Sequence, residues 1–199
     1  MAETQVSIAN MALTHLGVNP ITSITQASEP ARKVLLVWNN AVETVLRDHD
    51  WNFARRVGVA LVVDPTVDIT GWEYAYAKPT KCVAIRAVYD EGTVNAKAQQ
   101  DYTEALSIEN NAVMVMSNLE DALCDYTYLI TDVSLFPPDF VEALALYLAS
   151  KIGAALTGSD SKANQMLQRY MMVLGSAQAS NKAEVREPSE TSSIYEDAR

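Results

Sequence analysis

Chemistry near neutral pH would have to be built from two histidines, two cysteines and a surplus of carboxylates. His15 falls late in a helical pattern, where a helix-terminal, partly buried imidazole is the expected role. His49 stands in Asp48-His49-Asp50. Adjacent positions at a helix end point in different directions, so this triplet alone cannot converge on a metal. A cationic imidazole at the negative end of a helix dipole is the simpler account. Cys82 and Cys124 form no C-x-x-C pair and read as buried free thiols inside strands. Glu29, Glu43, Asp48 and Asp50 could supply the paired carboxylates of glycan cleavage, but with 25 acidic residues such pairs arise freely. The chain has no G-x-S-x-G, Walker loop, H-E-x-x-H or G-x-G-x-x-G. No catalytic residue, metal ligand or cofactor motif is assigned.

The elements that would carry these residues are organised around Ser28 to Ala54. Val34, Leu35, Trp38, Ala41, Val42, Val45 and Leu46 recur at helical spacing. The opposite face carries Arg32, Lys33, Asn39, Asn40, Glu43 and Arg47. Pro30 suits the first turn, with Ser28 or Glu29 as cap. The helix leaves through Trp51 and Phe53, whose rings should bury and fix the exit.

Before it, Val6, Ala9, Ala12, Leu13 and Leu16 outline a short helix closed by Gly17. Val18 to Gln26 is an extended connection. After it come strand candidates at Arg55–Val63 (with Gly58 a bulge), Lys81–Tyr89 and Asp125–Thr131, and a half-buried extended segment at Gly71–Tyr76. Asp90-Glu91-Gly92 reads as a turn. Asp101–Glu109 reads as irregular, leading into a short strand at Ala105–Ile108, with a hairpin turn at Glu109-Asn110-Asn111 and a partner strand at Val113–Met116. The tyrosines and Trp72 of this region lack interleaved basic residues, so packing explains them better than base stacking. Two further helices follow, the first opened by Pro137-Pro138 and closed by Gly158, the second capped by Ser159 or Asp160. Their tight link makes them antiparallel neighbours. From about Asn181 the apolar pattern stops.

The resulting expectation is an α+β fold: an antiparallel helical core (residues 1–53 and 132–181) with an inserted β-rich subdomain (54–131) and an extended C-terminal tail (182–199). Nearly half the residues are apolar, enough for a real core. The net charge of −10 and a pI near 4.6 oppose specific wrapping of nucleic acid. The N-terminus has no basic n-region, so secretion by signal peptide is not expected, and no run reads as a membrane span.

Several strings resemble the head-to-tail adaptor, or tail tubular protein A, family of short-tailed bacteriophages. They are Ile8–Leu13 with Leu16-Gly17, Pro20–Ile24, Leu46–Arg55 (LRDHDWNFAR), Tyr74-Ala75-Tyr76 with Pro79 and Cys82, Phe136–Ala145 (FPPDFVEALA), and Leu156–Ser159. The resemblance implies a virion protein assembled in the host cytoplasm. It would form a ring, usually of twelve copies, between portal protein and tail nozzle, with tail fibres as further possible neighbours. DNA would pass an acidic lumen without binding. On this reading Arg32, Lys33, Asn40 and Arg47 make subunit contacts, and Ile194 and Tyr195 anchor the tail in the portal. The alternative is a virion-associated glycan hydrolase using paired carboxylates; an acidic host-directed module would instead be a monomer.

Overall fold

In a computed structural model, residues 3–67, 71–90, 100–108 and 110–184 are described. Among the described residues four helices and seven strands make an α+β fold. Helix α1 (Gln5–Leu16) starts in a capping box between Thr4 and Ser7 and stops at Gly17, whose φ of 71° favours glycine. Asn10 then pins the extended connection. Its side-chain amide donates to the Ile21 carbonyl at 2.9 Å and accepts from the Ile21 N–H at 2.8 Å. Helix α2 (Glu29–Asp48) is capped by Ser28, whose hydroxyl accepts from Ala31 N–H, with Pro30 in the first turn.

Helix α3 (Pro138–Thr157) packs against α1, α2 and α4 (Asp160–Glu184). By length and composition it could cross a membrane, which corrects the expectation that no run reads as a span. Its apolarity is accounted for inside the fold: Phe140, Leu144, Leu148 and Ile152 are buried in the core. The exit from α2 is closed by rings. Trp51 meets Phe140 edge-on at 5.2 Å, Phe53 and Phe136 also pack on Phe140, and the Trp51 indole N–H donates to the Val45 carbonyl.

Between α2 and α3 lie two packed antiparallel sheets. The first has the order β1-β7-β4, from β1 (Arg55–Ala60), β4 (Cys82–Asp90) and β7 (Ala122–Tyr128). The second has the order β2-β3-β6-β5, from β2 (Val62–Val63), β3 (Tyr74–Ala77), β5 (Tyr102–Ser107) and β6 (Ala112–Ser117). Tyr76 and Val115 of one sheet meet Ile85, Val88, Cys124 and Tyr126 of the other. The bulge expected at Gly58 is there, with φ 65° and a register shift between Arg56 and Val59.

Five details differ from the sequence reading. The single strand expected over Arg55–Val63 is two, β1 and β2, which break at Leu61 and lie in different sheets. Leu35 is half-exposed, because the apolar run Val34-Leu35-Leu36-Val37-Trp38 is wider than the stripe a helix can bury. Residues 102–107 form a full strand, since pairing with β6 supplies the ladder that Glu104 and Ala105 do not favour by propensity. β7 spans Ala122–Tyr128 and ends before Leu129, whose N–H turns to the Lys81 carbonyl. Helix α4 continues to Glu184, so Lys182–Glu184 belong to a helix and not to an extended tail. Lys182, Ala183 and Glu184 are all good helix formers. Of the turn at 90–92, residues 91 and 92 lie outside the described residues, as does Glu109.

Candidate functional site

The Arg86 guanidinium ties the helical core to the β-sandwich. Arg86 projects from the middle of β4 to the end of α2, where a helix leaves carbonyls without intrahelical donors. Its Nη2 donates to the carbonyls of Leu46, Arg47 and His49 at 3.0, 3.0 and 2.8 Å, and its Nε donates to Thr127 Oγ1 at 2.8 Å. Asp50 approaches at 3.9 Å. Burial pulls the Arg86 pKa down and Asp50 opposes this. Arg47, on the same helix end, reaches the Val83 carbonyl at 3.3 Å.

Beside this junction the buried carboxylate of Asp125 is fully engaged. It accepts from Arg55 Nη2 at 2.9 Å, from the Gly58 N–H at 3.0 Å and from the Tyr89 hydroxyl at 2.8 Å. Burial and this hydrogen bond push the Tyr89 hydroxyl up to about 12. The bulge thus aims a backbone donor at a buried charge that would otherwise be costly. Asp125 is a structural hub of the sandwich.

The Asp48-His49-Asp50 triplet divides as its spacing requires. Asp48 Oδ2 accepts the Tyr170 hydroxyl at 2.6 Å, tying α2 to α4. His49 stands edge-on to Trp51, and burial lowers its pKa. Asp50 faces Arg55 and Arg86. Glu29 and Asp48 occupy opposite ends of α2, about 28 Å apart by helix rise. Glu43 borders a separate cleft of about 410 Å³ with Trp38 and Phe136. His15 contacts Glu142 of α3 at 3.5 Å. Among the described residues no three His, Cys, Asp or Glu side chains group to hold a metal. Burial pushes the Cys82 thiol up to about 11 and Cys124 to about 12, so both are poor nucleophiles.

Of the expected contact residues, Arg32, Asn40 and Arg47 are exposed and Lys33 is half-buried. Helical spacing aligns Lys33, Asn40 and Arg47 along one line, with Leu36 beside it. Leu36 is 80% exposed, which the sequence reading missed. The surplus of the Val34–Trp38 run was the available signal. Other large apolar side chains stand out from different elements: Leu106, Ile108 and Val113 on the β5–β6 hairpin, and Leu167, Met171 and Met172 on α4. Ile194 and Tyr195 lie outside the described residues.

Neither models of known protein families nor curated proteins give a match to this chain.

Proposed function

We propose that this chain is a structural virion protein, the subunit of a ring that adapts a phage portal to its tail nozzle. The observation that carries the reading is the outward face of α2. Leu36 is exposed there among Arg32, Lys33, Asn39 and Asn40, an apolar anchor inside a polar rim. Further exposed apolar groups on the hairpin and on α4 lie on other elements. A subunit with two lateral neighbours and axial partners needs several such surfaces, whereas an enzyme needs one concave site. The strings shared with the adaptor family point the same way, and twelve copies is the stoichiometry that resemblance implies. Each copy carries a net charge of −10, so carboxylates on a lumen wall would repel DNA phosphates and let the genome slide past.

The test is the mass and shape of the purified chain, with and without purified portal, by light scattering and negative-stain imaging. A ring that forms on portal supports the proposal. Leu36→Ser should abolish the ring while changing monomer stability by no more than about 0.5 kcal/mol, as for an exposed site. A monomer indifferent to portal, or one that clears cell-wall glycan, overturns it.

A further inference from the structure

The β-sandwich is charge-polarised along its length. At the helix-proximal end, a cleft of about 450 Å³ is lined by Arg55, Arg56, Lys81, Tyr128, Asp132 and Leu135 among others. Arg56 lies over the Tyr128 ring at 4.8 Å and Lys81 at 5.6 Å. Lys81 adopts φ 58°, a left-handed backbone that a lysine enters at a cost of about 1–2 kcal/mol.

Among the described residues neither Arg56 nor Lys81 makes an ion pair. Arg55 is already taken by Asp125 at 2.9 Å. Asp132 accepts from the Ser134 N–H and hydroxyl, which engage its Oδ1 within its own loop. The cleft therefore offers the Arg56 and Lys81 cations around an aromatic face, beside the Asp132 carboxylate and with the exposed Leu135 at its lip.

The opposite end is acidic. The turn between β6 and β7 exposes Glu120 and Asp121. The Tyr76 hydroxyl holds this turn by donating to the Leu119 and Glu120 carbonyls. Glu73 is close by: burial, then Glu120, Glu73 and Asp121, push the Tyr74 hydroxyl up. β7 separates the turn from the cleft, about 20 Å at strand rise. One copy therefore cannot fill its own cleft with its own turn.

We propose that the Arg56–Lys81–Tyr128 cleft binds the Glu120–Asp121 turn of a second copy of this chain. Donor and acceptor are different surfaces, so the contact is heterologous and propagates head to tail until it closes. Two carboxylates on a fixed turn match two cations on a fixed ring. Both copies carry a net charge of −10, so it is the local match of these two ends that draws them together against the overall repulsion. This inference rests on the ring reading and supplies one of its lateral contacts.

The test uses the full-length chain, mixed from ¹⁴N- and ¹⁵N-labelled preparations and treated with a zero-length carbodiimide cross-linker. A Lys81–Glu120 or Lys81–Asp121 peptide of mixed isotope is expected. Arg56→Glu/Lys81→Glu and Glu120→Lys/Asp121→Lys should each weaken assembly at least ~100-fold, since like charges would face each other. The chain carrying all four reversals should regain assembly. Circular dichroism of each monomer checks that these exposed positions leave the fold intact. A wild-type ring that tolerates the cleft reversals, or a four-fold variant that does not recover, overturns the contact but leaves the adaptor reading standing. Short duplex DNA that shields Lys81 from acetylation on a monomer also overturns it, in favour of a phosphate site. A wild-type chain that stays monomeric with portal present sinks both.

Discussion

Replacing Arg86 by methionine removes the densest polar tie between the two halves of the molecule. The guanidinium donates to four acceptors, three of them the carbonyls that end α2. Hydrogen bonds from charged donors contribute about 1.5–3 kcal/mol each, but Nη2 divides two protons among three carbonyls. The group is also 21% exposed, so water can replace part of what is lost. Methionine keeps most of the volume and leaves the carbonyls, Thr127 and Asp50 without this donor. The expected loss is about 3–4 kcal/mol, a large part of the total stability of a domain this size. That corresponds to a melting temperature lower by roughly 10 °C. Urea unfolding followed separately by tryptophan fluorescence and far-ultraviolet circular dichroism measures it. Trp38 and Trp51 lie in the helical core and Trp72 in the sandwich, so with Trp72→Phe as background the fluorescence follows the helical half; if Arg86 couples the halves, the two signals should cease to coincide in the variant. Arg86→Lys should recover less than half of the loss, because an ammonium cannot span both Thr127 and the helix end. A loss below about 1 kcal/mol in Arg86→Met, with coincident transitions, would refute the reasoning.

Two further outcomes follow from local geometry. The His49 pKa is lowered from 6.5 by burial, so the unfolded chain binds its proton first; the stabilisation is present above pH 6.5 and is lost as pH falls below it. His49→Gln should flatten that part of the stability profile in denaturant titrations at graded pH. Gly153 and Gly175 should respond oppositely to alanine in thermal melts. A Cβ at Gly153 would stand 3.1 Å from Leu16 and 3.2 Å from the Ala163 backbone, costing about 1–3 kcal/mol, whereas at Gly175 it meets nothing and should gain up to about 1 kcal/mol of helix propensity.

The helices were legible because punctuation and periodicity agree in them. Ser28 and Pro30 open α2, Gly17 and Gly158 close their helices, and the apolar spacing falls between these marks. β5 was not legible as a full strand, since its order comes from the facing β6 and not from its own residues. The outward face of α2 was half legible. Arg32, Asn40 and Arg47 are outward as read, but Leu36 was hidden in an apolar run, and Leu35 was assigned to the wrong side. Arg86 and Asp125 were missed as hubs. A lone charge inside Cys82-Val83-Ala84-Ile85-Arg86-Ala87-Val88, and another inside Ala122-Leu123-Cys124-Asp125-Tyr126, were signals that a partner existed. Neither string says which element provides it.

The first and last strands of the β-region, β1 and β7, are neighbours, with Arg55 opposite Thr127. The chain therefore departs from the helices and returns to them at points about 5 Å apart. Topologically the sandwich is a cassette whose two leads are already clipped together. Helix packing then bears little loop-closure entropy for the long excursion, because the strand pair brings the ends together first. Such a cassette can be lengthened, shortened or exchanged for another without rerouting the helices, so the shape of the region between them is free to diverge while the helical frame stays constant.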